Sequence, residues 1–181
     1  LNDPLTGFDA SNIWGHSGSC AETCACKVDC TRICPQKYMN VRIPQNFGWR
    51  YDTDSRIEFH QALDISAAIG TPVYNVFKND ALVKVSRSIT GCGNTIQLEY
   101  NDLYVTSMHL NTRDVNPNET VSNGGQIGTA GKTGTDAPHL HISFSTNNKV
   151  AVSRSNDPTD SNVINWDASQ IDAFLDPLDY I

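Results

Sequence analysis

The sequence predicts a mainly β protein: one antiparallel β-sheet domain, preceded by an irregular, disulfide-rich N-terminal extension and closed by a short C-terminal helix. Three observations carry this. From about Val41 onward, short runs rich in Val, Ile, Leu, Tyr and Phe follow one another, separated by turn residues rather than helical stretches. Five of the six cysteines crowd between Cys20 and Cys34. Near the end, Asp167 stands three residues before Gln170, the spacing of a helix cap, and Asp176-Pro177 supplies a stop.

At 181 residues the chain is expected to hold one principal domain, 41–181, behind an extension over 1–40. The extension is rich in Gly, Ser, Cys and Asn and shows no sustained period. Its cysteines and Cys92 make an even count, which favours disulfides and an oxidising compartment. The competing reading, a zinc site built on these thiols, lacks the paired C-x2-C knuckles usual in structural zinc sites. Five local cysteines cannot pair among themselves, so one is expected to reach Cys92. The strand-like runs are Ala81–Val85, Thr95–Tyr100, Leu103–Leu110 and His139–Phe144, divided by Gly91-Cys92-Gly93-Asn94, Asn101-Asp102 and the Gly-rich 124–134 stretch. Residues from about 145 to 165 are polar and read as a long surface loop. In the closing helix Ala168, Ile171 and Leu175 share a face.

Charge narrows the partners. Thirteen Lys and Arg against twenty Asp and Glu leave a net charge of −7, which argues against nucleic acid and anionic membranes. No apolar run approaches the ~20 residues that span a bilayer, so no membrane insertion is expected. The chain begins at Leu1 without a basic and then apolar leader, so a secretory signal is expected to have been removed. Asn118-Glu119-Thr120 matches a glycosylation triplet, a pattern common by chance.

Histidine is the informative residue, with five in the chain. His16 reads as a solvated loop residue. His139-Leu140-His141 opens a strand, and alternation puts both imidazoles on one face. Two exposed strand histidines would look the same. His60 and Asp64 are four apart. In a straight strand they would stand about 13 Å from each other at ~3.3 Å per residue. Joint binding to one ion therefore requires either a helix or a sharp bend centred on a small residue, and Ala62 holds that place. His109 closes another strand, a position more often filled by a satisfied, partly buried histidine. Taken together these residues offer two nitrogens and one carboxylate, a three-ligand zinc set with a fourth position open to water, and two more imidazoles for proton transfer and charge stabilisation.

In order along the chain stand Phe47-Gly48-Trp49-Arg50, Phe59-His60-Gln61-Ala62-Leu63-Asp64-Ile65, Gly70-Thr71-Pro72-Val73-Tyr74 and Gly93-Asn94-Thr95. Met108-His109-Leu110, Gly124-Gly125-Gln126-Ile127-Gly128, Gly131-Lys132-Thr133-Gly134, Pro138-His139-Leu140-His141 and the terminal Asp176-Pro177-Leu178-Asp179-Tyr180-Ile181 follow. This series resembles the lysostaphin/LytM-type zinc endopeptidases of peptidase family M23. The resemblance implies an antiparallel β domain with an open groove, one Zn2+ per chain on His60, Asp64 and His141, and catalytic roles for His109 and His139. It further implies a secreted, extracellular or periplasmic monomer that hydrolyses stem or cross-bridge peptides of bacterial peptidoglycan. The rival is an M23-like protein without activity, serving as regulator or signal; both non-ligand histidines are present here, which favours the enzyme. A further rival is a binding module in which the extension recognises a cell surface and the β domain is scaffold.

The chain departs from the family pattern in three places. Ala62 stands where the family usually has Gly, and would strain a bend needing φ > 0. Asp136-Ala137 precedes Pro138 where small hydroxyl residues or glycine are commoner. Cys92 and the Cys-rich extension are not general family features. Two other motifs fail: Gly125–Thr133 has Gln126 where a phosphate-binding loop needs Gly, and Gly15-His16-Ser17-Gly18-Ser19 lacks the last Gly of a serine-hydrolase elbow.

Overall fold

The computed structural model describes residues 47–51, 57–148, 150–152, 163–165 and 173–177. Its strands are β1 (Gly48–Tyr51), β2 (Ile57–His60), β3 (Leu63–Ser66), β4 (Pro72–Tyr74), β5 (Ala81–Ile89), β6 (Gly93–Tyr100) and β7 (Leu103–Leu110). They continue as β8 (Thr112–Arg113), β9 (Thr120–Val121), β10 (Gln126–Thr129), β11 (His139–Ser145), β12 (Val150–Val152), β13 (Val163–Asn165) and β14 (Phe174–Leu175). The main sheet runs β14-β11-β7-β6-β5-β9, with β3 also paired to β11. A smaller sheet, β4-β10-β8, stands beside two pairs, β1-β2 and the parallel β12-β13. Every other pairing among the described residues is antiparallel, the architecture expected from the sequence.

Period-2 alternation divides the main sheet into two unlike faces. Val83, Leu98, Val105 and Phe144 oppose one another across four strands and are all buried. With Leu63, Ile65, Leu140, Ile142, Phe77 and Ile127 they form the main core. The opposite face is polar yet buried: Gln97 opposes Thr106, which opposes Ser143, and the Gln97 amide donates to the Thr106 hydroxyl over 3.1 Å. Val85, Ile89, Cys92, Met108 and Val150 make a second apolar cluster. A register shift after Val83 leaves Lys84 exposed and moves Val85 opposite Gln97.

Two expectations are corrected. Cys92 carries a free, buried thiol within the second cluster, not a disulfide to the extension. The five other cysteines, with all of 1–46, lie outside the described residues. The sequence pattern extends the closing helix to Leu175, but Phe174–Leu175 is strand β14, pairing with Ser145 and Phe144. The open edge of β11 supplies backbone partners there, and those long-range bonds override the local helical pattern; 166–172 lie outside the described residues. Within the polar 145–165 stretch, β12 and β13 pair with each other, and 153–162 are outside the described residues.

Candidate metal centre

β2 ends at His60 and β3 begins at Leu63 in a different sheet, so the chain breaks direction at Gln61–Ala62. The break brings His60 Nε2 to 3.5 Å from Asp64 Oδ1, against about 13 Å in a straight strand. Ala62 is fully buried and is absent from the described non-glycine residues with positive φ, so its methyl brings no backbone strain to the bend.

β11 then lies antiparallel to β3 with His141 directly opposite Asp64. Opposed residues share a face, and His141 Nδ1 meets Asp64 Oδ1 at 2.9 Å. His141 Nε2 has no hydrogen-bond partner among the described residues. The His60 and His141 rings meet edge to face, centroids 5.2 Å apart. The donor atoms of His60, Asp64 and His141 all fall within 4.8 Å of one another, and all three residues are buried. Tetrahedral ligands ~2.0–2.2 Å from one zinc stand about 3.3–3.5 Å apart, so this donor set fits such an ion with small adjustments. The nitrogens of His109, His139 and His141 form a second such group. Only the first group contains an anionic oxygen to attract a dication, and it is the candidate ligand set.

His109 arrives by a different route. Met108 opposes His141 in the β7–β11 ladder, so simple alternation would send His109 to the other face. Between Asn94↔Leu110 and Ile96↔Ser107 the register shifts, leaving Met108 and His109 together opposite Thr95. His109 takes a φ of 61° in this bulge. The bulge re-aims its ring, which ends 4.7 Å from the His139 ring and 5.6 Å from that of His141, centroid to centroid. His109 Nδ1–H donates to the Thr133 carbonyl at 2.9 Å, and His139 Nδ1–H donates to the Ala137 carbonyl at 2.8 Å. His139 Nε2 lies 3.7 Å from Asp64 Oδ1.

The fold therefore gathers His60, Asp64, His109, His139 and His141 in one cluster, while His16 lies outside the described residues. The two carbonyl acceptors carry no sequence signal, because only the path of the 131–138 loop makes a backbone oxygen a partner.

Burial raises the Asp64 carboxyl, but hydrogen bonds and charge from His141 and His60 outweigh it and hold the group well below the ordinary carboxylate range. Burial is also the leading cause that lowers His141. It lowers His109 to about 4, aided by the charge of His141 and opposed by the Thr133 hydrogen bond. At neutral pH the cluster holds an ionised carboxylate beside neutral His109 and His141, the protonation state in which a carboxylate and imidazoles bind cations.

A family model described as Peptidase family M23 matches residues 58–153. The peptidoglycan DD-endopeptidase ShyA of Vibrio cholerae is 32% identical over 143 residues, covering 76% of this chain and 33% of that protein. The chain thus spans about a third of that relative's length. A solved zinc containing peptidase from Vibrio cholerae superposes with a TM-score of 0.53 and 31% identity, over 57% of this chain and 32% of that one. The catalytic domain of lysostaphin from Staphylococcus simulans shares the fold, with a TM-score of 0.55 at 23% identity, over 79% of this chain and 93% of the other. The span matched by the family model takes in more than half of the chain and every residue gathered in the cluster, and the chain belongs to peptidase family M23.

Proposed function

We propose that the chain is a zinc endopeptidase that hydrolyses peptide bonds of bacterial peptidoglycan, in stem or cross-bridge peptides, outside the cytoplasm. The observation that carries this reading is convergence: β2, β3 and β11 bring two imidazoles and a carboxylate together, directly beside two further imidazoles. His60, Asp64 and His141 would hold one Zn2+. When bound, the ion supplies Lewis-acid polarisation of the scissile carbonyl and acidifies water. His109 and His139 then divide the remaining work: one imidazole accepts the proton of the attacking water on Nε2 and, once protonated, donates that N–H to the developing oxyanion, while the other orients the water as a hydrogen-bond acceptor. Burial of His60, Asp64 and His141 lowers the local dielectric and strengthens those interactions. Similarity to ShyA supports peptidoglycan as the substrate class. The net charge of −7 means that recognition of an anionic wall rests on contacts within the site and not on bulk attraction. We read the working unit as a monomer.

Mass spectrometry of peptidoglycan after incubation with wild type, His139→Ala and His109→Ala tests the assignment. New peptide ends are expected from the wild type, with rates at least about 100-fold lower in either variant. Identical fragment profiles from wild type and His139→Ala would reject the catalytic assignment. Zinc-loaded wild type that cuts nothing would place the chain among the family's inactive regulators.

A further inference from the structure

His109 pays a conformational penalty to reach the cluster. Its φ of 61° is uncommon for a residue with a side chain, and such a backbone persists only where its surroundings over-determine it. Here the surroundings converge on Thr133 of the 131–138 loop, with the Cys92 carbonyl beside it. The Thr133 hydroxyl donates to the Leu110 carbonyl at 2.8 Å and accepts the Asn94 N–H at 2.8 Å. Thr133 N–H also donates to the His109 carbonyl at 3.3 Å, and His109 N–H donates to the Cys92 carbonyl at 2.9 Å. Gly93 and Gly134, with φ of 65° and 73°, let the two backbones close on each other, and a Cβ on Gly93 would collide with the Thr133 carbonyl. That carbonyl is the acceptor of His109 Nδ1–H.

We propose that Thr133 is a positioning residue: its hydroxyl stitches the start of β6 and the end of β7 to the loop, so that its carbonyl holds the His109 ring protonated on Nδ1. A carbonyl oxygen can only accept, so this contact fixes the tautomer of the neutral ring and leaves Nε2 as the nitrogen able to take a proton. The same loop does this twice, because the Ala137 carbonyl accepts Nδ1–H of His139. Both imidazoles are thus set in one tautomer by a single segment of eight residues, 131–138. The inference rests on the reading of His109 as catalytic.

The test compares zinc-loaded wild type, Thr133→Val, Thr133→Ser and His109→Ala. Zinc content, kcat and KM on soluble cross-linked muropeptides, and the ring 15N shifts of His109 are measured. Expected are an Nδ1-protonated His109 in wild type, and a kcat loss of about 10- to 100-fold in Thr133→Val with KM and zinc content unchanged. Thr133→Ser, which keeps the hydroxyl, should stay within about threefold of wild type. Should Thr133→Val fail to fold, Thr133→Ser and the wild-type 15N spectrum still decide the matter. An Nε2-protonated His109 in wild type, or wild-type kcat in Thr133→Val, overturns the proposal and leaves the catalytic reading standing. Wild-type kcat in His109→Ala overturns both.

Discussion

Cys92 sits among Val85, Ile89, Met108 and Val150, and burial pushes its thiol up from 9.0 to about 12. Thiolate is the reactive species, so at pH 8 a thiol reagent should label native protein far more slowly than denatured protein. Equal rates would show that the second cluster is open. The pH dependence has a definite sign. Because the folded value is the higher one, the contribution of the buried neutral thiol is complete below pH 9.0 and disappears as pH climbs through about 12. Stability should therefore fall over that alkaline interval, and less steeply in Cys92→Ala. Matching slopes in the two proteins would contradict the burial of this group. The sequence made Cys92 look like half of a disulfide because parity counts cysteines and does not see which cluster encloses each one.

At the scale of elements, β11 does the most. It pairs with β7 along one edge, and along the other with β3 and then β14. Ile142 is fully buried on its apolar face, opposite Leu63. Ile142→Ala should cost about 2–5 kcal/mol of unfolding free energy in denaturant titration, and a loss below about 1 kcal/mol would mean that this core relaxes freely. Much of this element level was legible. Alternation in His139-Leu140-His141 placed both imidazoles on one face, and the distance argument required either a helix or a bend at Ala62, of which the fold takes the bend. The His109 bulge was not legible, since a bulge is a mismatch between two strands and neither strand records it alone. Leu175 misled for a related reason: its spacing from Ala168 and Ile171 fits a helix, yet the β11 edge captures it.

For the whole molecule, the three candidate ligands lie on β2, β3 and β11, so an ion held between them ties the β1-β2 pair to the main sheet. Chelation should lower both the melting temperature and peptide-bond cleavage, and added zinc should restore both. At 100-fold excess over its dissociation constant the ion adds about 2.7 kcal/mol, or about 5–10 °C for a chain of this size. A melting temperature indifferent to chelator and zinc would remove the metal from the account. The sequence carried the gathering of the five residues only when its scattered motifs were taken as one set, since each alone has an ordinary structural explanation.

The position of β14 bears on shortened forms of the chain. Phe174 and Leu175 occupy the half of the β11 edge that β3 leaves uncovered, and Thr146 N–H reaches back to the Ala173 carbonyl at 2.9 Å. Cutting the chain before Ala173 would bare backbone donors and acceptors at Phe144–Ser145 that a neighbouring copy can extend. Such a truncation should self-associate as its concentration rises in sedimentation runs, so Ala173, Phe174 and Leu175 act as a guard against stickiness.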